Sequence, residues 1–236
     1  MTPRREPAAG PTAPQHEPGP ATPTRTETVP TPAGDARIAW YAAAVPHTVL
    51  ALGHGAGGGI EARDLAALAA ALPPLGCTVA LVEQPWRVAG RRVAPAPRTL
   101  DTAWRQLWPA LRAPALPVVA GGRSAGARVA CRTAAELGAV AVLALAFPLH
   151  PPGRPERSRA EELAAVGEAS LPLLVVQGER DTFGRPEEFP AGVAVAPVPD
   201  ADHGFAVPRR AATTGGEALH RLTAAVAAWA PVAGRS

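Results

Sequence analysis

The sequence of 236 residues predicts an α/β fold: a mostly parallel central sheet flanked by helices on both faces. Three observations predict it. Short runs that are apolar throughout, such as 77–82 and 140–147, alternate with segments of helical periodicity. Strands without a polar side need cover on both faces, which is the condition of a parallel sheet. Next, the apolar run 117–120 breaks into glycines, presents one serine and passes at once into an Ala/Arg-rich helical stretch, 125–137. Finally, four predicted strand ends carry glycines, carboxylates or histidines, and strand carboxyl ends are where sites form in such sheets.

The elements follow in order. Residues 1–34 are rich in Pro, Thr, Ala and Glu with almost no large apolar side chain, so they bury too little surface to offset ordering entropy and are expected to be disordered. Folding is expected to begin near Asp35, with one domain over 35–236. A first strand covers 36–41 and a second 47–52, the latter ending in Gly53-His54-Gly55-Ala56-Gly57-Gly58-Gly59. Leu65, Leu68 and Leu72 mark a helix over 61–72 that Pro73 and Pro74 stop. Strand 77–82 leads into a polar loop opened by Glu83-Gln84-Pro85-Trp86-Arg87. Helix 100–111 carries Trp104, Leu107 and Trp108 on one side. After the serine come strands 140–147, 171–176 and 193–198 and a closing helix, 216–229. Only 148–170 is free for a cap, which leaves room for a loop and one helix. The cap is therefore minimal.

Composition removes several function classes. The net charge of +3 is spread along the chain, and no dense arginine stripe alternates with aromatics, so nucleic acid is not expected as a partner. All basic residues are arginine and asparagine is missing, the bias of a GC-rich coding genome, which weakens any functional reading of the basic charge. Cys77 and Cys131 lie in apolar segments and read as reduced core thiols, with no metal-ligand spacing around either. No apolar run approaches the roughly 20 residues a bilayer crossing needs, and Arg4 and Arg5 precede no apolar segment of a signal peptide. A cytoplasmic location, with no membrane partner, is the expectation.

The chemistry concentrates at Gly122-Arg123-Ser124-Ala125-Gly126, a G-x-S-x-G pattern. A serine on a sharp strand-to-helix turn takes a strained backbone, and residues two before and two after it have to be almost free of side chain. The helix behind it aims N–H groups at the place where an anion forms. A Gly-Ser turn in a loop is the bland alternative. The 54–59 loop offers backbone N–H groups, and one of these with that of Ala125 makes a two-donor oxyanion hole. No lysine follows that loop, so a Walker-type phosphate site is not expected, and His54 reads as structural. After strand 171–176 comes Glu179-Arg180-Asp181, in which Asp181 fits the acid that orients an imidazole and Glu179 competes with it. After strand 193–198 comes Asp202-His203-Gly204, in which His203 fits the base; His150, after another strand end, is its rival.

Ser, Asp and His, each after a strand and in that order, is the order of the α/β-hydrolase fold. From about Asp35 onward the chain resembles a compact bacterial α/β-hydrolase family, related to dienelactone-hydrolase-like proteins and to the hydrolase-like domain of a chromatin-complex subunit. The resemblance is carried by "LGHGAGGG", "EQPWRVAGRR", "GGRSAGARVACRTA", "FPLHPPGRPERSRAEEL", "VVQGERDTFG" and "DADHGF". It implies Ser124 as nucleophile, Asp181 as acid, His203 as base, and Ala56 and Ala125 as oxyanion donors. A serine stands where dienelactone hydrolases carry cysteine, so their substrate does not carry over.

The expected activity is hydrolysis of a carboxylic ester or thioester through an acyl-Ser124 intermediate. An acyltransferase would use the same residues, and a non-catalytic interaction module on the same scaffold is the alternative of another class. Gly55, Trp86, Arg87, Arg123 and His150 are the candidate substrate-binding residues. Arg87 and Arg123 would receive an anionic group, against the plainer reading of solvated or carboxylate-paired arginines. A small-molecule acyl substrate, no cofactor, no metal, and a monomer or homodimer complete the expectations.

Overall fold

The structure is a computed structural model, and residues 21–233 are described. Eight strands form one sheet: β1 (Arg25–Thr31), β2 (Gly34–Tyr41), β3 (Thr48–Gly53), β4 (Cys77–Glu83), β5 (Val118–Arg123), β6 (Ala141–Leu145), β7 (Leu173–Gly178) and β8 (Ala194–Val198). Their order is β1-β2-β4-β3-β5-β6-β7-β8. All neighbours from β4 to β8 run parallel, while β2 is antiparallel to both β1 and β4. The central strands are buried end to end, which is why they read as unbroken apolar runs.

The first twenty residues of the segment expected to be disordered lie outside the described residues. Another part of that segment is ordered: Arg25–Thr31 forms the edge strand β1, so the fold begins before Asp35. It lacks the apolar run by which the other strands announce themselves because it hangs on the sheet through one side only. Its anchors are the hairpin with β2, a hydrogen bond from Trp40 Nε1 to Glu27 (3.2 Å) and the stacking of Arg25 on Trp40 (5.0 Å). Pro30 is tolerated there because an edge strand leaves alternate N–H groups unpaired.

Helices cover both faces. On one side α1 (Arg63–Ala71), α6 (Gly215–Ala228) and α7 (Ala230–Ala233) bury Leu65, Leu68, Leu222 and Val232 against the sheet. On the other, α2 (Pro85–Val88), α3 (Pro97–Arg112), α4 (Ala125–Leu137) and α5 (Ala160–Glu168) bury Trp86, Trp104, Val129 and Leu163. Between β6 and β7 the chain holds only one short 3₁₀ turn and α5. Glu162 of α5 accepts hydrogen bonds from Arg128 (2.6 Å) and Arg132 (3.0 Å) of α4, so α5 is docked on the side of the sheet.

Cys77 and Cys131 are free and buried. Burial pushes the Cys77 thiol up to about 12 and the Cys131 thiol up as well. Among the described residues no helix is long and apolar enough to cross a membrane.

Candidate active site

Ser124 sits between β5 and α4 with φ 52° and ψ −110°, a conformation that costs about 1–3 kcal/mol for a residue with a side chain. Its flanking glycines are required by contact. A Cβ on Gly122 would lie 2.6 Å from the carbonyl carbon of Gly126, and one on Gly126 would lie 2.6 Å from that of Gly53. The elbow is thus pressed against the end of β3 as well as being sharp. The Ser124 N–H donates to Leu145 O (2.9 Å), which fixes the turn to β6.

His203 reaches this serine from the loop after β8. Its Nε2 lies 3.0 Å from Ser124 Oγ and its Nδ1 lies 2.7 Å from Asp181 Oδ2. A carboxylate can only accept, so it draws the proton to Nδ1 and leaves Nε2 free to accept from the serine hydroxyl. Asp181 is fully buried; its Oδ1 accepts from Phe183 N–H (2.8 Å) and its Oδ2 from Gln177 Nε2 (2.8 Å). Phe183 covers the imidazole at a ring separation of 4.3 Å. The His203 loop is itself held: Asp202 Oδ1 accepts from Gly204 N–H (2.8 Å) and Ala206 N–H (2.9 Å), and Phe205 is fully buried.

Beside the serine lies a narrow cleft whose lining includes Gly55, Ala56, Trp86, Leu100, Ala125 and Val129. Ala56 and Ala125, the two candidate oxyanion donors, therefore face one space. Ala125 is the first residue of α4, where N–H groups have no partner within the helix.

A sequence model of the alpha/beta hydrolase domain family matches residues 46–231. The chain belongs to the α/β-hydrolase family. Solved structures carry the same fold. A serine hydrolase without a lid from Xanthomonas campestris is 22% identical, with a TM-score of 0.66, over 89% of this chain and 98% of that one. A serine hydrolase homologue from Coxiella burnetii is 15% identical, with a TM-score of 0.68, over 87% and 99%. The dienelactone hydrolase of Anabaena variabilis is 18% identical, with a TM-score of 0.64, over 89% and 98%. No curated protein matches the sequence.

Three of the candidate substrate-binding residues of this α/β-hydrolase are engaged elsewhere. Arg123 points away from the cleft. Its Nε lies 3.4 Å from the fully buried Asp64 Oδ2 of α1, and its Nη2 donates to His203 O (3.0 Å). Both groups are desolvated behind the elbow, so the side chain ties three site elements together where an anion site was expected. Arg87 pairs with Glu61 at the surface (3.2 Å). His150 Nε2 meets Glu188 (2.9 Å) and its Nδ1 donates to Pro151 O (2.9 Å); that carbonyl, with Glu188 behind it, holds the imidazole above its ordinary range. Gly55 and Trp86 do line the cleft.

His54 is placed as a structural residue. Its Nε2 accepts from Gln84 N–H (3.1 Å), which leaves the proton on Nδ1, 2.8 Å from Gly55 O. Burial lowers its pKa, so the ring stays neutral. Two supporting residues escaped the sequence reading. Gln177, fully buried in β7, donates to Asp181, and Asp64 backs Arg123. A lone glutamine ending an apolar strand was the available signal for the first. Nothing marked Asp64 apart from other first-turn acids of helices.

Proposed function

We propose that the protein is a serine hydrolase that cleaves a carboxylic ester or thioester through an acyl-Ser124 intermediate. The observation that carries the reading is the unbroken chain from Ser124 Oγ through the His203 ring to the buried Asp181 carboxylate. In the first half-reaction Ser124 Oγ attacks the acyl carbonyl carbon while His203 Nε2 takes its proton. The negative charge that forms on the carbonyl oxygen rests on the N–H groups of Ala56 and Ala125, each worth about 3 kcal/mol in comparable sites. The leaving alcohol or thiol takes the proton back from His203 as its bond to carbon breaks. Water then enters, gives a proton to the same nitrogen and attacks the acyl carbon, and Ser124 leaves with that proton. Asp181 keeps the imidazole in its working tautomer and balances the imidazolium.

Titration with a fluorophosphonate probe tests this. Wild type is expected to form a covalent adduct that Ser124→Ala abolishes and His203→Ala slows by orders of magnitude. Folded wild type that takes up no probe would refute the reading and turn attention to a non-catalytic scaffold.

A further inference from the structure

Gln177 stands where a glutamine weakens the core. It is the penultimate residue of β7, is fully buried, and its Oε1 has no hydrogen-bond partner among the described residues. A buried amide oxygen left without a donor lowers stability, and a methionine or leucine would fill a similar space without that loss. The worth of the side chain therefore lies in its nitrogen. Nε2 meets three acceptors: Asp181 Oδ2 (2.8 Å), Gly184 O (2.8 Å) and, at longer range, Phe147 O (3.3 Å). A carboxylate and two carbonyls can only accept, so the amide has one workable orientation, with its two protons turned toward them.

We infer that Gln177 is a positioning residue of the site, whose Nε2 holds the Asp181 carboxylate with Oδ2 turned to His203. The inference rests on the hydrolase reading and adds a fourth side chain to it. Three donors hold the carboxylate: Phe183 N–H on Oδ1 (2.8 Å), and Gln177 Nε2 (2.8 Å) and His203 Nδ1 (2.7 Å) together on Oδ2. Asp181 is fully buried, so bulk water cannot take the place of a lost donor. Without Gln177 the carboxylate keeps one main-chain donor, on Oδ1, and Oδ2 is free to swing out of line with the ring. Gln177 is itself anchored. A Cβ on the next residue, Gly178, would lie 2.8 Å from Asp202 O, so the end of β7 is pressed against the loop that carries His203. The amide is thus fixed relative to both members of the pair it aligns.

A double-mutant cycle separates this role from a merely structural one. Wild type, Gln177→Met, Asp181→Asn and the double variant are labelled with the fluorophosphonate probe, with circular dichroism to check the fold. The maximal labelling rate and the half-saturating probe concentration are measured for each. Gln177→Met is expected to slow the maximal rate by about 10- to 100-fold. The half-saturating concentration should not change, because alignment of the base matters in the transition state and not in probe binding. Asp181→Asn removes the charge that Gln177 orients, so in that background the same substitution should cost less than about threefold. Gln177→Leu, which also lacks the donor, repeats the cycle should Gln177→Met not fold. An equal cost in both backgrounds, a change in half-saturation alone, no cost at all, or the failure of both variants to fold overturns this inference and leaves the hydrolase reading standing. Folded wild type that takes up no probe overturns the hydrolase reading, and this inference with it.

Discussion

Arg123→Ala is the most informative single perturbation of the framework behind the site. Asp64 is fully buried and its counter-charge is Arg123, whose side chain is 15% exposed. At 3.4 Å the contact is an ion pair without a hydrogen bond, so its worth lies in charge balance. Removing the cation leaves a carboxylate in the interior, a loss of about 3–5 kcal/mol where such pairs have been broken from one side. At about 2–4 °C per kcal/mol for a domain of this size, thermal unfolding should fall by about 6–20 °C. Burial raises the Asp64 pKa and Arg123 opposes that rise, so in the variant the pKa stands higher still, checked only by the neighbouring backbone N–H groups and His203. The folded variant then binds a proton more tightly than its unfolded chain, and its stability falls as pH rises through the raised value. Circular-dichroism melts should accordingly show the deficit shrinking as pH is lowered toward the ordinary carboxyl range. The double variant Asp64→Leu/Arg123→Met should recover most of the loss, because no charge is left behind. A deficit below about 1 kcal/mol, or one that does not change with pH, would refute the reasoning.

Gly126→Ala should fold poorly, at or above the upper end of the roughly 1–3 kcal/mol cost of overpacking, because its new Cβ meets backbone of β3 at 2.6 Å, where no side chain can give way. Urea titration reads this directly, and a loss below 1 kcal/mol would mean that the elbow relaxes freely. His54 has a pKa lowered chiefly by burial, so the unfolded chain takes up a proton first as pH drops through the ordinary imidazole value near 6.5. Wild-type stability should decline over that interval and His54→Gln should lack this component; identical pH profiles for the two would exclude it.

The parts of the fold that were legible in the sequence are those where burial dictates composition. Strands β3 to β7 are apolar because both faces are covered, and helix α4 was readable to its last residue because Gly138, in a left-handed conformation, closes it. Strand β1 was not legible for the opposite reason. It is held by hairpin pairing and by single contacts of Trp40 with Glu27 and Arg25, none of which leaves a periodic apolar trace. Sequence composition registers what a strand buries and is blind to what it merely pairs with.

The site divides along a similar line. Ser124, Asp181 and His203, which the structure brings within hydrogen-bond reach of one another, could be picked out because each stands at a strand end beside residues whose use is geometric: the two glycines of the elbow, and the turns around Asp181 and His203. Arg123 was misassigned because a sequence shows that a charge is present and not what faces it. Its partner Asp64 lies on α1, a different part of the chain, and only the fold brings the two side chains together. The same arginine crowds Gly55, where a Cβ would stand 3.1 Å from Arg123 Nη1 and the guanidinium would have to shift. The guanidinium thus stands between Gly55 and the carbonyl of His203. A charge that reads from the sequence as a candidate for an incoming anion is in the fold turned to a buried carboxylate and a main-chain carbonyl.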